Sequence, residues 1–319
     1  MSAIIALIAQ ALHIALMLAA APLLIGLIRR VKSRLLGRTG PSPLQPYRDL
    51  QRLLRKQPVL AGNASWLFAA APAVSFAATL CAAALVPSFA LGMTTAPLSD
   101  LIVIAGLLTL SRVVLALAGM DIGTAFGGIG ASREMTFAVF AEPALLLVIF
   151  TLALLAGSTN LDAIATLLRE GSLGLRVSLG LSMVAVVTIA IAENGRIPVD
   201  NPATHLELTM VHEAMVLEYS ARHLALIEYG VALRLLLWLT LIGTVFVPFG
   251  MGDAAGFPPL WITGALAWAA KVGVLAVGLA VFESSIAKMR VFRVPEFLGI
   301  ALLLGLLAVI FLFVSQGFA

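Results

Sequence analysis

The sequence predicts an all-α, polytopic membrane protein with eight transmembrane helices and a cytoplasmic-side amphipathic helix after the first span. Three observations predict it. Of 319 residues, 61% are hydrophobic and only 11% are charged, whereas soluble domains carry about 25% charged residues. The apolar residues fall in eight long runs, each near the ~20 residues a helix needs to cross the hydrocarbon. Lys and Arg concentrate in alternate loops, which is the charge signature of membrane topology. The whole chain, 1–319, reads as one integral membrane domain.

The spans are expected at 3–28, 64–90, 98–119, 137–157, 174–193, 224–248, 260–281 and 296–316. The first has no basic segment ahead of it; its Arg and Lys residues follow the apolar run, which marks a spanning helix and not a signal peptide. Loop 29–60 carries nine Lys/Arg, loop 120–136 one, loop 194–223 two and loop 282–295 three. The opposite side has only Arg169 and Arg176. That asymmetry makes the first set cytoplasmic, with both termini outside. The net charge of +4 is therefore topology and gives no reason to expect nucleic acid. The single Cys81 allows no intrachain disulfide and no cysteine-ligated cluster within this chain.

Loop 29–60 has structure of its own. Gly37, Gly40, Pro41, Pro43 and Pro46 break the backbone, and helical spacing resumes over Tyr47–Lys56. Leu50, Leu53 and Leu54 share a face, with Arg48, Arg52, Arg55 and Lys56 away from it. Such a helix lies along the membrane surface, where it anchors to headgroups or docks a peripheral partner. The next cytoplasmic stretch, Asp121–Glu134, is glycine-rich. It lacks a Lys-Ser/Thr ending, G-x-G-x-x-G spacing and a preceding strand, so it reads as a tight turn that lets backbones approach and not as a phosphate loop.

Charges inside apolar spans are costly and mark function. Arg112 lies about two turns from the cytoplasmic end of the third span, where it either snorkels or pairs with a carboxylate. Glu142-Pro143 falls in the cytoplasmic third of the fourth, where the proline frees a helix carbonyl beside the acid; the pair is a plausible proton-holding point or a structural partner for Arg112 or Arg133. Arg234 lies early in the sixth span and Lys271 in the middle of the seventh. The densest stretch is 192–229, which holds Glu193, Asp200, Glu207, Glu213, Glu218 and Glu228, six of the sixteen acids, and three of the four histidines, His205, His212 and His223. Asn201-Pro202 reads as an N-cap and first-turn proline, so a helix is expected from there. His212-Glu213 is followed at the required spacing by Val216, which breaks the zinc-protease pattern, and no metal site is expected.

Several of these motifs occur together in a known family. Gly37-Arg38-Thr39-Gly40-Pro41, Leu44-Gln45-Pro46-Tyr47-Arg48-Asp49-Leu50, Ala192-Glu193-Asn194-Gly195-Arg196-Ile197-Pro198-Val199-Asp200 and Ile227-Glu228-Tyr229 resemble the subunit 1 family of respiratory complex I. The Tyr-Arg-Asp form, the run Asn201–Thr209 and the tail Phe292–Phe297 look more like its hydrogenase branch, the membrane subunits of formate hydrogenlyase, hydrogenase-4 and related group 4 nickel–iron hydrogenases. The resemblance implies an eight-helix subunit that anchors a peripheral redox arm to antiporter-like proton-translocating subunits. It implies a proton pathway over Glu142, Glu193, Glu207, Glu213, Glu218 and Glu228, with Arg112, Arg196, Arg234 and Lys271 as supporting charges. Arg38, Tyr47, Arg48, Asp49, Asp200, His205 and His212 would dock the hydrogenase-like large subunit and the iron–sulfur small subunit. Iron–sulfur clusters and the nickel–iron site would reside in those partners, with no cofactor and no catalytic residue here. Gly195 and the run after Asp200 depart from the complex I pattern, which weighs against quinone. A quinone-binding subunit and a purely structural anchor stay open as alternatives.

Overall fold

The computed structural model describes residues 2–171, 176–200, 210–254, 259–287, 289–290 and 293–317. The helices run α1 (Ser2–Leu35), α2 (Gln45–Leu54), α3 (Trp66–Leu85), α4 (Leu101–Asp121), α5 (Ala125–Ala156), α6 (Leu161–Arg169), α7 (Val177–Glu193), α8 (His212–Val216), α9 (Ala221–Phe246), α10 (Pro259–Ser285) and α11 (Val294–Gly317). Two short strands, β1 (Ala90–Leu91) and β2 (Gly252–Asp253), pair in parallel and stitch the loop after α3 to the loop after α9.

Among the described residues, seven helices are long and apolar enough to cross a membrane. The expected crossing at 174–193 is apolar, but its helix, α7, has 17 residues, about 25 Å at 1.5 Å per residue against ~30 Å of hydrocarbon. Eight full-length crossings are therefore not what the described residues contain. α5 starts twelve residues earlier than the expected span at 137, because the glycine-rich stretch is helical from Ala125 and the turn is confined to Ile122–Thr124, with Gly123 at φ +74°. The glycines serve close packing. A Cβ at Gly127 would collide with the Gly119 carbonyl, and one at Gly130 would sit 2.8 Å from the Val211 carbonyl oxygen and 2.9 Å from the Ala214 methyl. α4, α5 and α8 can meet only because those side chains are missing. The helix expected from Asn201-Pro202, together with His205 and Glu207, lies outside the described residues.

α9 is the central helix. In its most apolar window 78% of residues are buried, against 22% for α10 at the periphery. α9 packs on α1, α2, α3 and α7, while α11 packs on α5 and α7. The main core joins Leu233, Leu236, Leu237 and Trp238 of α9 to Met17 and Ile28 of α1, Leu108 of α4 and Val148 of α5.

Prolines inside these helices remove an amide donor and leave the carbonyl four residues back unpaired. Pro22 of α1 frees Leu18, and the Tyr229 hydroxyl donates to that oxygen at 2.8 Å; the Tyr47 hydroxyl donates to the neighbouring Ala19 carbonyl. Pro72 of α3 frees Phe68, and the Tyr219 hydroxyl donates to it at 2.9 Å while its ring stacks on the Phe68 ring at 3.9 Å. Two of the three tyrosines thus satisfy a carbonyl that a helix proline has freed. The end of α3 is closed by α1: His13 Nε2 donates to the Ala83 carbonyl at 3.0 Å and Gln10 to Ala84 at 3.0 Å. Those two polar residues are buried in the apolar part of the helix because they satisfy helix-end carbonyls.

Candidate functional site

The site is built around Arg112, in the middle of α4 and only 4% exposed. A guanidinium at that depth needs anionic partners, and three carboxylates converge on it from two other helices. Glu193, the last residue of α7, makes a direct ion pair with Nη2. Glu134 of α5 lies 3.6 Å from Nε and Glu142, also of α5, lies 3.5 Å from Nη1. Thr109, one turn earlier on α4, donates to Glu142 at 3.2 Å. The Arg112 question left open by the sequence is answered by pairing.

A second buried cation stands behind the first. Arg234 of α9 donates from Nη2 to the Ser111 hydroxyl at 2.8 Å, and Ser111 is itself bonded to Ser75 at 2.7 Å and Thr79 at 3.0 Å. Adjacent residues of α4 thus hold both cations, Ser111 through a hydrogen bond to Arg234 and Arg112 as the second guanidinium itself. Glu134, Glu193, Asp200, His212 and Arg234 line a cavity of ≈ 20 Å³, space for about one water molecule.

His212 opens α8 on the wall of this cavity, with its Nε2 atom buried and without a hydrogen-bond partner among the described residues. Burial, and then the nearby Arg234, push its imidazole down to about 4. It is neutral at neutral pH. Arg133 holds the segment in place by donating to the Met210 carbonyl at 2.9 Å.

A second ionic group lies at the mouth of the bundle. Glu283, at the end of α10, is 4% exposed and pairs with Lys32 of α1 at 3.0 Å and with Arg196 at 3.6 Å. Burial pushes the Arg196 guanidinium down, and Glu283 opposes that shift.

The structure therefore brings together Glu142, Glu193, Arg112 and Arg234 of the expected residues, and places Arg196 nearby on Glu283. Asp200 and His212, expected to face a partner, line the inner cavity. Glu213 is partly buried on α8, Glu218 is exposed, and Glu228 is exposed on α9; none of the three is among the residues on Arg112 or the cavity wall. Lys271 sits apart: its ammonium reaches along α10 to the Val247 carbonyl at the C-terminal end of α9, at 2.8 Å, where the helix dipole favours a cation. Arg38 and Arg48 are exposed. Tyr47 is tied to Ala19, and Asp49 accepts from Gln45 at 2.9 Å. Among the described residues no group of three His, Cys, Asp or Glu side chains is arranged to hold a metal ion.

Two members went unread in the sequence, Glu134 and Glu283. Each carried a periodic signal. Glu134 shares a helical face with Gly127, Gly130, Ala131 and Ala138, and Glu283 with Ala276 and Ala280, all buried.

A polar cluster gathered on the third, fourth and fifth apolar helices, beside the start of the loop after the fifth, fits the sequence resemblance, and comparison with known proteins decides it. The NADH dehydrogenase family model matches residues 7–314. The chain belongs to the NADH dehydrogenase subunit 1 family. Formate hydrogenlyase subunit 4 of Escherichia coli is 34% identical over 279 residues, covering 87% of this chain and 89% of that protein. Hydrogenase-4 component C of Escherichia coli is 32% identical over 293 residues, covering 91% and 90%. NADH-quinone oxidoreductase subunit 8 of Rhodothermus marinus is 29% identical over 257 residues, covering 79% and 72%. A chain from the structure of the membrane-bound sulfane sulfur reductase, an archaeal respiratory membrane complex, superposes with a TM-score of 0.76 at 20% identity, covering 94% of this chain and 98% of that one; at that identity the likeness concerns the fold. As a member of the subunit 1 family the chain is a multi-pass membrane protein.

Proposed function

We propose that this chain is the membrane anchor and proton-coupling subunit of a complex-I-related membrane-bound hydrogenase or formate-hydrogenlyase-type complex. The similarity to formate hydrogenlyase subunit 4 and hydrogenase-4 component C over nearly the full length supports the assembly. α7 serves as the eighth crossing, the basic side 29–60, 194–223 and 282–295 faces the cytoplasm, and both termini lie outside. Arg38, Arg48 and loop 194–223 face a hydrogenase-like large subunit and an iron–sulfur small subunit; antiporter-like subunits lie beside the bundle. Electrons pass through the partners, which hold the iron–sulfur and nickel–iron centres.

The observation that carries the coupling role is the sharing of Arg112 by Glu134, Glu142 and Glu193. Three anions in low dielectric around one cation repel one another, and a proton shared among them relieves that repulsion. A change of charge or position in the arm above loop 194–200 alters the balance at Glu193, and the proton redistributes. The cluster runs from the buried Glu193 side chain, 5% exposed, to that of Glu142, 39% exposed. That gradient gives the proton a way from the interior toward neighbouring subunits. Glu207, Glu213, Glu218 and Glu228 belong to the same proposed route.

The test is Glu193→Gln in the assembled complex, with hydrogen evolution and proton translocation measured together. The coupling reading requires that translocation falls while assembly persists. Unaltered proton yield per hydrogen would sink it.

A further inference from the structure

The C-terminus of α7 is pulled from both sides. The helix ends on a Schellman turn: Gly195 stands at φ +53°, its amide donates to Ala192 at 3.0 Å, and the Arg196 amide donates to Ile191 at 3.0 Å. The backbone then closes again, with Val199 and Asp200 amides on the Arg196 carbonyl at 2.8 and 3.2 Å. Glu193 is the last helical residue before the turn and Arg196 the first after it. Their side chains go opposite ways, Glu193 to Arg112 on α4 and Arg196 to Glu283 on α10.

Glu283 is a buried anchor shared by two cations. Its side chain is 1% exposed and sits between Lys32 of α1 and Arg196, so three separate elements meet on one buried carboxylate. The Met289 amide adds a bond to the Pro198 carbonyl at 2.8 Å. By contrast, Glu193 at a helix C-terminus has the wrong sign for the dipole. Its place is therefore held by Arg112 ahead of the turn and by whatever fixes the turn behind it.

We propose that Arg196 is a positioning residue: its pairing with Glu283 fixes the turn that keeps Glu193 on Arg112, so a contact that draws Arg196 off Glu283 moves Glu193. This deepens the coupling reading above and rests on it for its purpose. It assigns the handle by which an anionic group presented by the peripheral partner, competing for Arg196, would act on the buried cluster.

The experiment uses the assembled complex in detergent and two readouts, hydrogen–deuterium exchange of the peptide covering 190–200 and the infrared bands of the Glu193 carboxyl, identified as those that Glu193→Gln removes. Glu283→Gln and Arg196→Gln are expected to speed exchange of the Asn194, Gly195 and Arg196 amides at least tenfold and to shift the Glu193 bands. Arg196→Lys, which keeps the charge with a shorter reach, should give a smaller change of the same sign, and it decides the matter if the Gln variants do not assemble. Lys32→Gln should do least, because Arg196 stays on Glu283. Wild-type exchange in these variants overturns the proposal, and so does faster exchange with unmoved Glu193 bands. A Glu193 signal that never responds to turnover in the wild type would sink the coupling reading alone, because the exchange rates still decide whether Arg196 fixes the turn.

Discussion

The carboxylate of Glu193, at the end of α7, rests on the guanidinium of Arg112, halfway along α4. Residues eighty-one positions apart thereby form the pair from which the buried cluster extends to Glu134 and Glu142. Arg112 is the shared member, and that asymmetry decides how the cluster responds to substitution.

Arg112→Met should destabilise the bundle by about 3–5 kcal/mol, because three carboxylates lose their common cation at once. Glu193→Gln should cost less, because Arg112 keeps Glu134 and Glu142 within 3.6 Å. Thermal unfolding of the purified variants checks the order; equal losses would mean the three acids are not held by one cation.

Acid should weaken the region around α8. His212 is held down to about 4 when folded and titrates near 6.5 when exposed. The unfolded chain therefore takes up the proton first as pH falls, so stability is full above pH ~6.5 and drains away between there and ~4. For a partly buried side chain the loss is on the order of 1–2 kcal/mol. His212→Gln should flatten this part of the stability–pH curve, measured as Tm across that window.

Tyr219→Phe should cost about 1–2 kcal/mol by orphaning the buried Phe68 carbonyl. Adding Pro72→Ala restores an amide able to reach that oxygen, so the double variant should lose less than Tyr219→Phe alone. A double-mutant cycle with no coupling between the two sites would contradict the proline–tyrosine pairing.

Gly130→Ala should disturb the seat of α8, since the new methyl meets the Val211 carbonyl and the Ala214 side chain under 3.0 Å; overpacking of this kind costs about 1–3 kcal/mol. Gly128→Ala, with nothing within 4 Å, is the control and should be neutral or slightly stabilising through helix propensity. Chemical denaturation of both variants separates steric from propensity effects.

Sequence by itself determined that this chain is a helical membrane protein, where its apolar helices lie and which family it belongs to, because apolar run length and loop motifs are local properties. It also pointed to Arg112, Glu142, Glu193 and Arg234 as charges that needed explanation, because an ion within an apolar run is anomalous wherever its partner lies. Only the tertiary structure decided which acids meet. Glu134 was masked by the glycines around it, which suggested a turn, whereas they are the smooth face on which α4 and α8 pack. Glu218 and Glu228 stand on exposed surface apart from the acids on Arg112, and Lys271 meets a helix end. Helical period fixes the side on which a residue stands, but its partner depends on how two helices cross, and that is set by packing between segments far apart in the chain.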